Sequence, residues 1–130
     1  MTLEKELYWL ALTVWMEARG ESFLGQLAVA WVIMNRKQNN SVADTVLRKL
    51  QFSCWNADSV TRANVDIAEI DLAWTDCFKA AAAAYFQLLP DPTNAATHYL
   101  NPKSLKVLPK WYSPGQVVKQ IGNHDFLRVA

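Results

Sequence analysis

Two carboxylates near the end of the first predicted helix are the residues best suited to acid–base chemistry. The run EARGE spans Glu17 to Glu21 and follows an apolar segment that ends with Trp15 and Met16. A carboxyl group against apolar walls is disfavoured in its charged form, so it can donate a proton near neutral pH. Glu17 is therefore a candidate general acid. The alternative is a solvated helix end with a local Glu–Arg pair, and composition taken alone favours that alternative.

The two histidines are weaker candidates for chemistry. His98 follows Ala96-Thr97, and His124 lies in the run GNHDF; a lone histidine in such a context is more often a hydrogen-bonded structural residue. With a Glu and a Cys they could in principle form a zinc site, but no pair has the H-x-x-x-H or C-x-x-C spacing of a zinc ligand set. No phosphate-binding Gly-rich loop or G-x-S-x-G motif is present. We therefore expect no metal and no cofactor.

A proline-flanked segment carries two aromatic residues, Trp111 and Tyr112, between Pro109 and Pro114. Exposed aromatic rings can stack on the apolar faces of sugar rings, so these two side chains are compatible with a glycan-binding groove. The alternative is that both rings fold back onto the core. The sequence leaves the two possibilities open.

Helices are predicted to position the acidic run. An amphipathic helix over residues 3–18 would bury one face, with Gly20 as a left-handed stop, and a second helix over residues 24–34 is apolar nearly all round, as buried helices are. Ser41 and Asp44 resemble a capping box that begins a short third helix, predicted to run through Val42, Val46, Leu47 and Leu50. The face predicted to be buried on the first helix consists of Leu3, Leu7, Leu10, Val14 and Ala18.

The rest of the chain changes from helix to strand. Residues 51–55 are predicted to be extended or loop, residues 56–69 a polar surface excursion, and residues 71–89 a helix capped by Asp71 and ended by prolines. Strands are expected at 96–100 and 124–129. The chain is therefore expected to be α+β and mostly helical. The face predicted to be buried on the 71–89 helix consists of Trp74, Cys77, Ala81, Ala84, Tyr85 and Leu88.

Length and charge exclude several classes of protein. The 130 residues suit one domain, 52% hydrophobic, and the net charge of +1 gives no basic surface for nucleic acid or for a membrane. No stretch approaches the roughly 18 apolar residues of a membrane span. The N-terminus, with Glu4 and Glu6, does not have the pattern of a signal peptide. Cys54 and Cys77 are read as small buried hydrophobes, and whether they pair is left open.

Ordered motifs along nearly the whole chain resemble those of the SleB-type cell wall hydrolases, the family of the spore-cortex-lytic enzymes. No single motif is specific, but together they occur in the family's order from residue 7 to residue 126. The matching segments are EARGE at 17–21, GQLAVA at 25–30, VIMNR at 32–36, QFS at 51–53, THY at 97–99 with Asn101, Pro109 with Trp111, and IGNHDF at 121–126.

The resemblance implies a single catalytic domain over residues 1–130, with a lysozyme-like or lytic-transglycosylase-like fold and a small β element flanking a glycan cleft. It implies cleavage of the bond between N-acetylmuramic acid and N-acetylglucosamine, with Glu17 as the catalytic residue. Small residues such as Gly25 and Ala28 are read as packing positions. Expected substrate-binding residues are Glu21, Gln51, Ser53, Tyr99, Asn101, Trp111 and His124.

A lytic transglycosylase suits a motif without an obvious partner carboxylate, because one glutamate can act as acid and then as base. A hydrolytic muramidase, a zinc-dependent amidase and a non-catalytic wall-binding phage module remain alternatives. The expected partner is the glycan strand, and the protein is expected to be a monomer. A catalytic domain without a leader resembles a bacteriophage endolysin, held in the host cytoplasm until it is released to the cell wall.

Overall fold

The computed structural model describes residues 2–48 and 71–129. Within them lie four α-helices and a three-stranded sheet, which confirms the predicted α+β class. The helices are α1 (Leu3–Ala18), α2 (Phe23–Lys37), α3 (Val42–Leu47) and α4 (Trp74–Tyr85), and the strands are β1 (His98–Leu100), β2 (Val117–Ile121) and β3 (His124–Leu127). Two short 3-10 turns, Pro102–Ser104 and Pro114–Gln116, lie between β1 and β2.

Helix α1 is the centre of the helical core. Thr2 caps it by accepting a hydrogen bond from the Lys5 N–H at 3.2 Å, and its residues 10–16 are all buried. The single buried face predicted for this helix is too narrow, because α2, α3 and α4 all pack against it. Leu3, predicted to belong to that face, is half exposed. The burial of α1 fixes the direction in which its last turn, with Glu17, projects.

The conformation of Gly20 after α1 and the end of α2 both differ from expectation. Helix α1 ends at Ala18 with Arg19 still in right-handed helical geometry, and Gly20 does not adopt the left-handed conformation that was predicted for it. Helix α2 continues past Met34 to Lys37 and ends at Gln38, whose φ is +47°. The extension is stabilised by the Asn35 side chain, which donates hydrogen bonds to Asp91 and to the Ala96 carbonyl, each at 2.9 Å.

Helix α3 is anchored by a carboxylate that belongs to α1. The Ser41 hydroxyl accepts from the Asp44 N–H at 3.0 Å, as the capping pattern predicts. The buried Glu6 carboxylate also accepts from the first N–H of α3, that of Val42, at 2.9 and 3.1 Å. A negative charge at a helix N-terminus is stabilised by the unpaired N–H groups there, so this contact joins α1 to α3.

Helix α4 is shorter than predicted at both ends. Asp71 accepts from the Ala73 N–H at 3.0 Å instead of capping the first turn directly, and the helix ends at Tyr85. Gln87 takes a left-handed φ of +55° and the Leu88 N–H returns to the Ala83 carbonyl at 2.8 Å, so the chain turns away before the prolines. Leu88 is consequently 70% exposed, and its predicted burial was wrong.

The small sheet packs on α2. Strands β1 and β2 both pair antiparallel with β3, which lies in the middle. The predicted strands at 96–100 and 124–129 are present but shorter, and β2 was not predicted. A second hydrophobic cluster joins the sheet to α2 and consists of Ala28, Val32, Ala96, Ile121 and Phe126.

Several predictions lie outside the described residues: Leu50 of the third helix, the 51–55 and 56–69 segments, Gln51, Ser53 and Cys54. Cys77 is a free, buried thiol in α4. Across residues 2–48 and 71–129, no helix combines the length and apolar character that crossing a membrane requires.

Candidate active site

Glu17 occupies the last turn of α1, where the core meets the surface. Its neighbours Met16 and Ala18 are buried, while Glu17 itself is partly exposed. Its side chain therefore projects from the last turn of a largely buried helix and is partly accessible to solvent.

The second glutamate of the motif is paired with a histidine from the sheet. Glu21 lies in the turn between α1 and α2, and its Oε1 is 2.8 Å from Nδ1 of His124, the first residue of β3. The side chains are 21% and 12% exposed. Within the described part of the chain Nδ1 has no well-directed hydrogen bond, so the two groups lie close together without ideal hydrogen-bond geometry. It connects the two predicted site residues that lie at opposite ends of the sequence.

Two glycines make room for the Glu21 side chain. A Cβ on Gly25 would lie 3.0 Å from the Glu21 Cβ, a tighter contact than nine in ten that Cβ atoms make in proteins. A Cβ on Gly122 would lie 3.6 Å from Oε2 of Glu21, and Gly122 has a left-handed φ of +58° that favours glycine. The glycines at 25 and 122 therefore allow Glu21 to pack between the first turn of α2 and the β2–β3 turn.

Tyr99 connects this pair to the two hydrophobic clusters. Its ring lies edge-on to His124, with centroids 5.4 Å apart, and 5.9 Å from the ring of Phe126. It packs against both the helical core and the α2–sheet cluster. Glu21, His124 and Tyr99, three of the predicted substrate-binding residues, are thus brought into one contiguous group.

Arg36 was a candidate ion-pair partner of Glu21 from the sequence, but Glu21 contacts His124 in the structure. Burial lowers the pKa of its guanidinium, Tyr99 opposes that change and Arg48 adds to it. Arg36 belongs to the VIMNR segment of α2, so the matched motif was a signal that it lies near the site.

His98 has the surroundings of a structural histidine. Its Nδ1 lies 3.0 Å from the Thr97 hydroxyl, and its ring lies 4.7 Å from that of Trp111. Burial, and secondarily the charge of Arg36, lower the pKa of His98 to about 4. The imidazole is therefore neutral at physiological pH and supports the Trp111 ring.

The aromatic pair of the loop is folded partly back onto the sheet. Trp111 and Tyr112 are both half-buried. The Tyr112 hydroxyl donates to the buried Asp125 carboxylate at 3.2 Å, and Gln120 donates to the same group at 2.9 Å. Desolvation, then the hydrogen bond to Asp125, raise the pKa of Tyr112. Trp111 keeps part of its surface in solvent beside His98.

Asn101 is engaged in local structure on one side of its amide. Its Oδ1 accepts from the Lys103 N–H at 3.1 Å and so caps the 3-10 turn that follows β1. The Nδ2 group of the same side chain is a hydrogen-bond donor that a ligand could use. Gln51 and Ser53, the other two predicted binding residues, are outside the described part of the chain.

Arg19, between the two glutamates, has an aromatic neighbour. Its guanidinium lies 4.2 Å from the centre of the Trp15 ring, and the Trp15 indole N–H donates to Asp71 at 2.9 Å. These contacts fix the chain where α1 ends. Among the described residues, no cluster of three or more His, Cys, Asp and Glu side chains has the arrangement of a metal site.

The chain is similar to known wall-degrading proteins. A spore cortex-lytic enzyme of Bacillus cereus is 31% identical over 126 residues, 96% of this chain and 45% of the relative. That of Halalkalibacterium halodurans is 30% identical over 128 residues, 95% of this chain and 34% of the relative. The chain thus spans less than half the length of these relatives.

Two solved structures have the same fold. The catalytic domain of the germination-specific lytic transglycosylase SleB from Bacillus anthracis aligns with a TM-score of 0.71 at 29% identity, covering 98% of this chain and 97% of that domain. The catalytic domain of Bacillus cereus SleB aligns with a TM-score of 0.65 at 28% identity, covering 98% and 93%. The predicted fold is therefore confirmed. Because the cell wall hydrolase family model also matches residues 20–127, the chain belongs to the cell wall hydrolase family.

Proposed function

We propose that this chain is a peptidoglycan lytic transglycosylase that cleaves the bond between N-acetylmuramic acid and N-acetylglucosamine, with Glu17 as its acid and base. The family assignment and the match to a domain described as a lytic transglycosylase support the reaction class. The observation that supports Glu17 is its place in the last turn of α1, a largely buried helix, with a side chain that is partly exposed to solvent.

The position of Glu17 suits a proton donor. The C-terminal end of a helix has partial negative charge, which favours the neutral form of a carboxyl group.

One carboxyl group is sufficient for the complete reaction. Protonated Glu17 gives its proton to the glycosidic oxygen, and the bond from that oxygen to C1 of the muramyl sugar breaks. The substrate's own N-acetyl group stabilises the positive charge at C1. The Glu17 carboxylate then takes the proton of the muramyl 6-hydroxyl, whose oxygen bonds to C1 and closes a 1,6-anhydro ring. Glu17 is protonated again, and no water is consumed.

The neighbouring predicted residues divide into binding and positioning roles. The Asn101 Nδ2 group and the Tyr99 hydroxyl are proposed to donate hydrogen bonds to the substrate near the cleaved bond, and Trp111 to stack on a sugar. Gln51 and Ser53 keep the cleft-lining role that the family resemblance implies. Glu21 and His124 were expected to bind substrate; their mutual contact favours a role in holding the site together.

The direct test is the release of soluble muropeptides from purified sacculi. Glu17→Gln should reduce the rate by about 100-fold or more, as expected when a general acid is removed. Glu4→Gln, an exposed glutamate of the same helix, is the matched control and should retain wild-type activity. Undiminished release by Glu17→Gln would exclude the proposed mechanism.

Two further arms test the alternatives. Loss of activity with EDTA and recovery with zinc would indicate a zinc amidase. Binding of the wild type to sacculi without any product would indicate a wall-binding module.

A role in host lysis by a bacteriophage is a separate proposal. Expression in the bacterial cytoplasm should leave cells intact until the inner membrane is permeabilised. The cells should lyse once it has been permeabilised. Lysis without permeabilisation, or none after it, would contradict this role and the expected cytoplasmic location before release.

A further inference from the structure

An exposed basic loop follows β1, and we refer to residues 103–110 as the lysine loop. Residues 92–124 contain four lysines and neither aspartate nor glutamate. Lys103, Lys106 and Lys110 are all exposed. In the described part of the chain, none of these three ammonium groups has a carboxylate partner within ion-pair distance. The loop therefore presents a concentrated positive charge although the chain as a whole is nearly neutral.

The lysine loop is held at both ends. Asn101 caps its first turn, accepting from the Lys103 N–H at 3.1 Å. At the other end the Tyr112 N–H donates to the Pro109 carbonyl at 3.0 Å, and the Tyr112 hydroxyl donates to the buried Asp125 at 3.2 Å. Prolines at its borders restrict the backbone further. The ammonium groups are thus displayed from a loop with fixed attachments.

Apolar side chains are exposed on the same loop. Leu105 is 42% exposed, Leu108 43% and Val107 84%. Aliphatic groups interspersed with lysines suit a partner that combines anionic groups with small apolar ones. A partner with negative charge alone would not account for the aliphatic groups.

The lysine loop is continuous with the candidate active site. Trp111, which follows it directly, lies 4.7 Å from His98, and the next residue of β1, Tyr99, contacts His124. A ligand that extends out of the cleft past Trp111 therefore meets this loop.

We propose that the lysine loop binds the stem peptide of peptidoglycan, an inference that rests on the proposed function. The peptide is attached to the muramyl sugar beside the cleaved bond, so it must leave the cleft next to the site. It has free carboxylates, which the lysines can pair with, and alanine methyl groups, which the leucines and valine can contact. Bare glycan strands keep one lactyl carboxylate on each muramyl sugar, next to the ring, but they have no peptide carboxylates and no alanine side chains. The loop thus makes the enzyme selective for strands that bear peptides.

The test compares two soluble glycan strands, one with stem peptides and one stripped of them by an amidase, both free of other wall polymers. The Lys106→Gln/Lys110→Gln variant should lower kcat/KM on peptide-bearing strands about fivefold, as expected for two exposed ion pairs. It should leave kcat/KM on stripped strands unchanged. The difference between the variant and the wild type on peptide-bearing strands should shrink at high salt. The matched control is Lys5→Gln/Lys79→Gln, which removes two exposed lysines from α1 and α4 and should match the wild type on both strands.

The outcomes separate this inference from the proposed function. If neither strand yields anhydro-ended products with the wild type, the proposed function fails. If products form but kcat/KM of the variant falls equally on both strands, or falls on neither, the stem-peptide role of the loop is wrong. Binding of the wild type to anionic phospholipid vesicles, lost in the variant while the ratio between strands stays constant, would assign the loop to a membrane surface and overturn the proposal.

Discussion

Oε1 of Glu21 lies 2.8 Å from Nδ1 of His124, and this contact joins the turn after α1 to the start of β3. Glu21 follows Glu17 by four residues, in the turn after α1, while His124 lies against the ring of Tyr99. The pair therefore fixes the candidate acid relative to the sheet. In this account Glu21 is a positioning residue, and its carboxylate does not act on the sugar.

The Glu21–His124 contact should be measurable as a coupling energy. Glu21→Ala and His124→Ala should each lower the free energy of unfolding. The double variant should lose less than the sum of the two single losses, which gives a coupling energy of about 1 kcal/mol. Urea unfolding of the four proteins measures it. Each single variant should lower kcat more than it raises KM, because neither side chain is proposed to bind substrate. Additive losses of stability would show that the two residues do not interact.

Gly25 should be intolerant of even one added methyl group. Its Cβ would lie 3.0 Å from that of Glu21, so Gly25→Ala should displace Glu21 and destabilise the protein by about 1–2 kcal/mol despite the better helix propensity of alanine. Thermal unfolding and activity assays measure the effect. Gly20→Ala is the matched control, because nothing lies within 4 Å of the Cβ it would introduce, and its stability should be close to wild type. Equal stability of both variants would contradict the packing role of Gly25.

His98 should make stability depend on pH in a defined window. The pKa of His98 is lowered from 6.5 to about 4 in the folded chain by burial, so between these values the unfolded chain binds a proton that the folded chain does not. The contribution of neutral His98 to the free energy of unfolding is complete above pH 6.5 and is lost as the pH falls towards 4.

The matching variant is His98→Gln, which cannot titrate. Its free energy of unfolding should fall less than that of the wild type between pH 7 and pH 4.5, by about 2 kcal/mol after allowance for partial solvent exposure. Urea unfolding at both pH values provides the comparison. Identical pH dependence of the two proteins would show that His98 is not the group that titrates.

The Cys77 thiol should be unreactive in the folded protein. Burial, and secondarily the charge of Asp76, raise the pKa of Cys77 to about 12, so almost no thiolate is present at pH 8, and the thiolate is the reactive form. Treatment with iodoacetamide at pH 8, followed by peptide mapping, should leave Cys77 unmodified until urea is added. Rapid modification of the native protein would mean that α4 opens readily.

The helices were largely predictable, because hydrophobic periodicity depends on neighbouring residues. Helix α1 begins and ends where predicted. The end of α4 was not predicted correctly, because it depends on Gln87, a non-glycine residue in a left-handed conformation. Strand β2 was missed although Gly122-Asn123 between Ile121 and His124 is a hairpin signal.

The sequence motifs selected three residues that lie together in the structure, but they did not predict the contacts between them. The motifs identified Glu21, His124 and Tyr99, but not that the first two contact each other, because they come from opposite ends of the chain. Nor did they show that Asn101 uses its carbonyl oxygen to cap a turn. Such contacts arise from tertiary packing, about which local sequence pattern contains no information.

Mass spectrometry of glycan strands digested in ¹⁸O-labelled water by the wild type and by Glu17→Gln tests the single-glutamate mechanism. This mechanism predicts unlabelled 1,6-anhydromuramyl ends from the wild type, because no water enters the product, and formation of these ends about 100-fold or more slower with the variant. Reducing muramic acid ends labelled with ¹⁸O, or undiminished formation of products by Glu17→Gln, would contradict it.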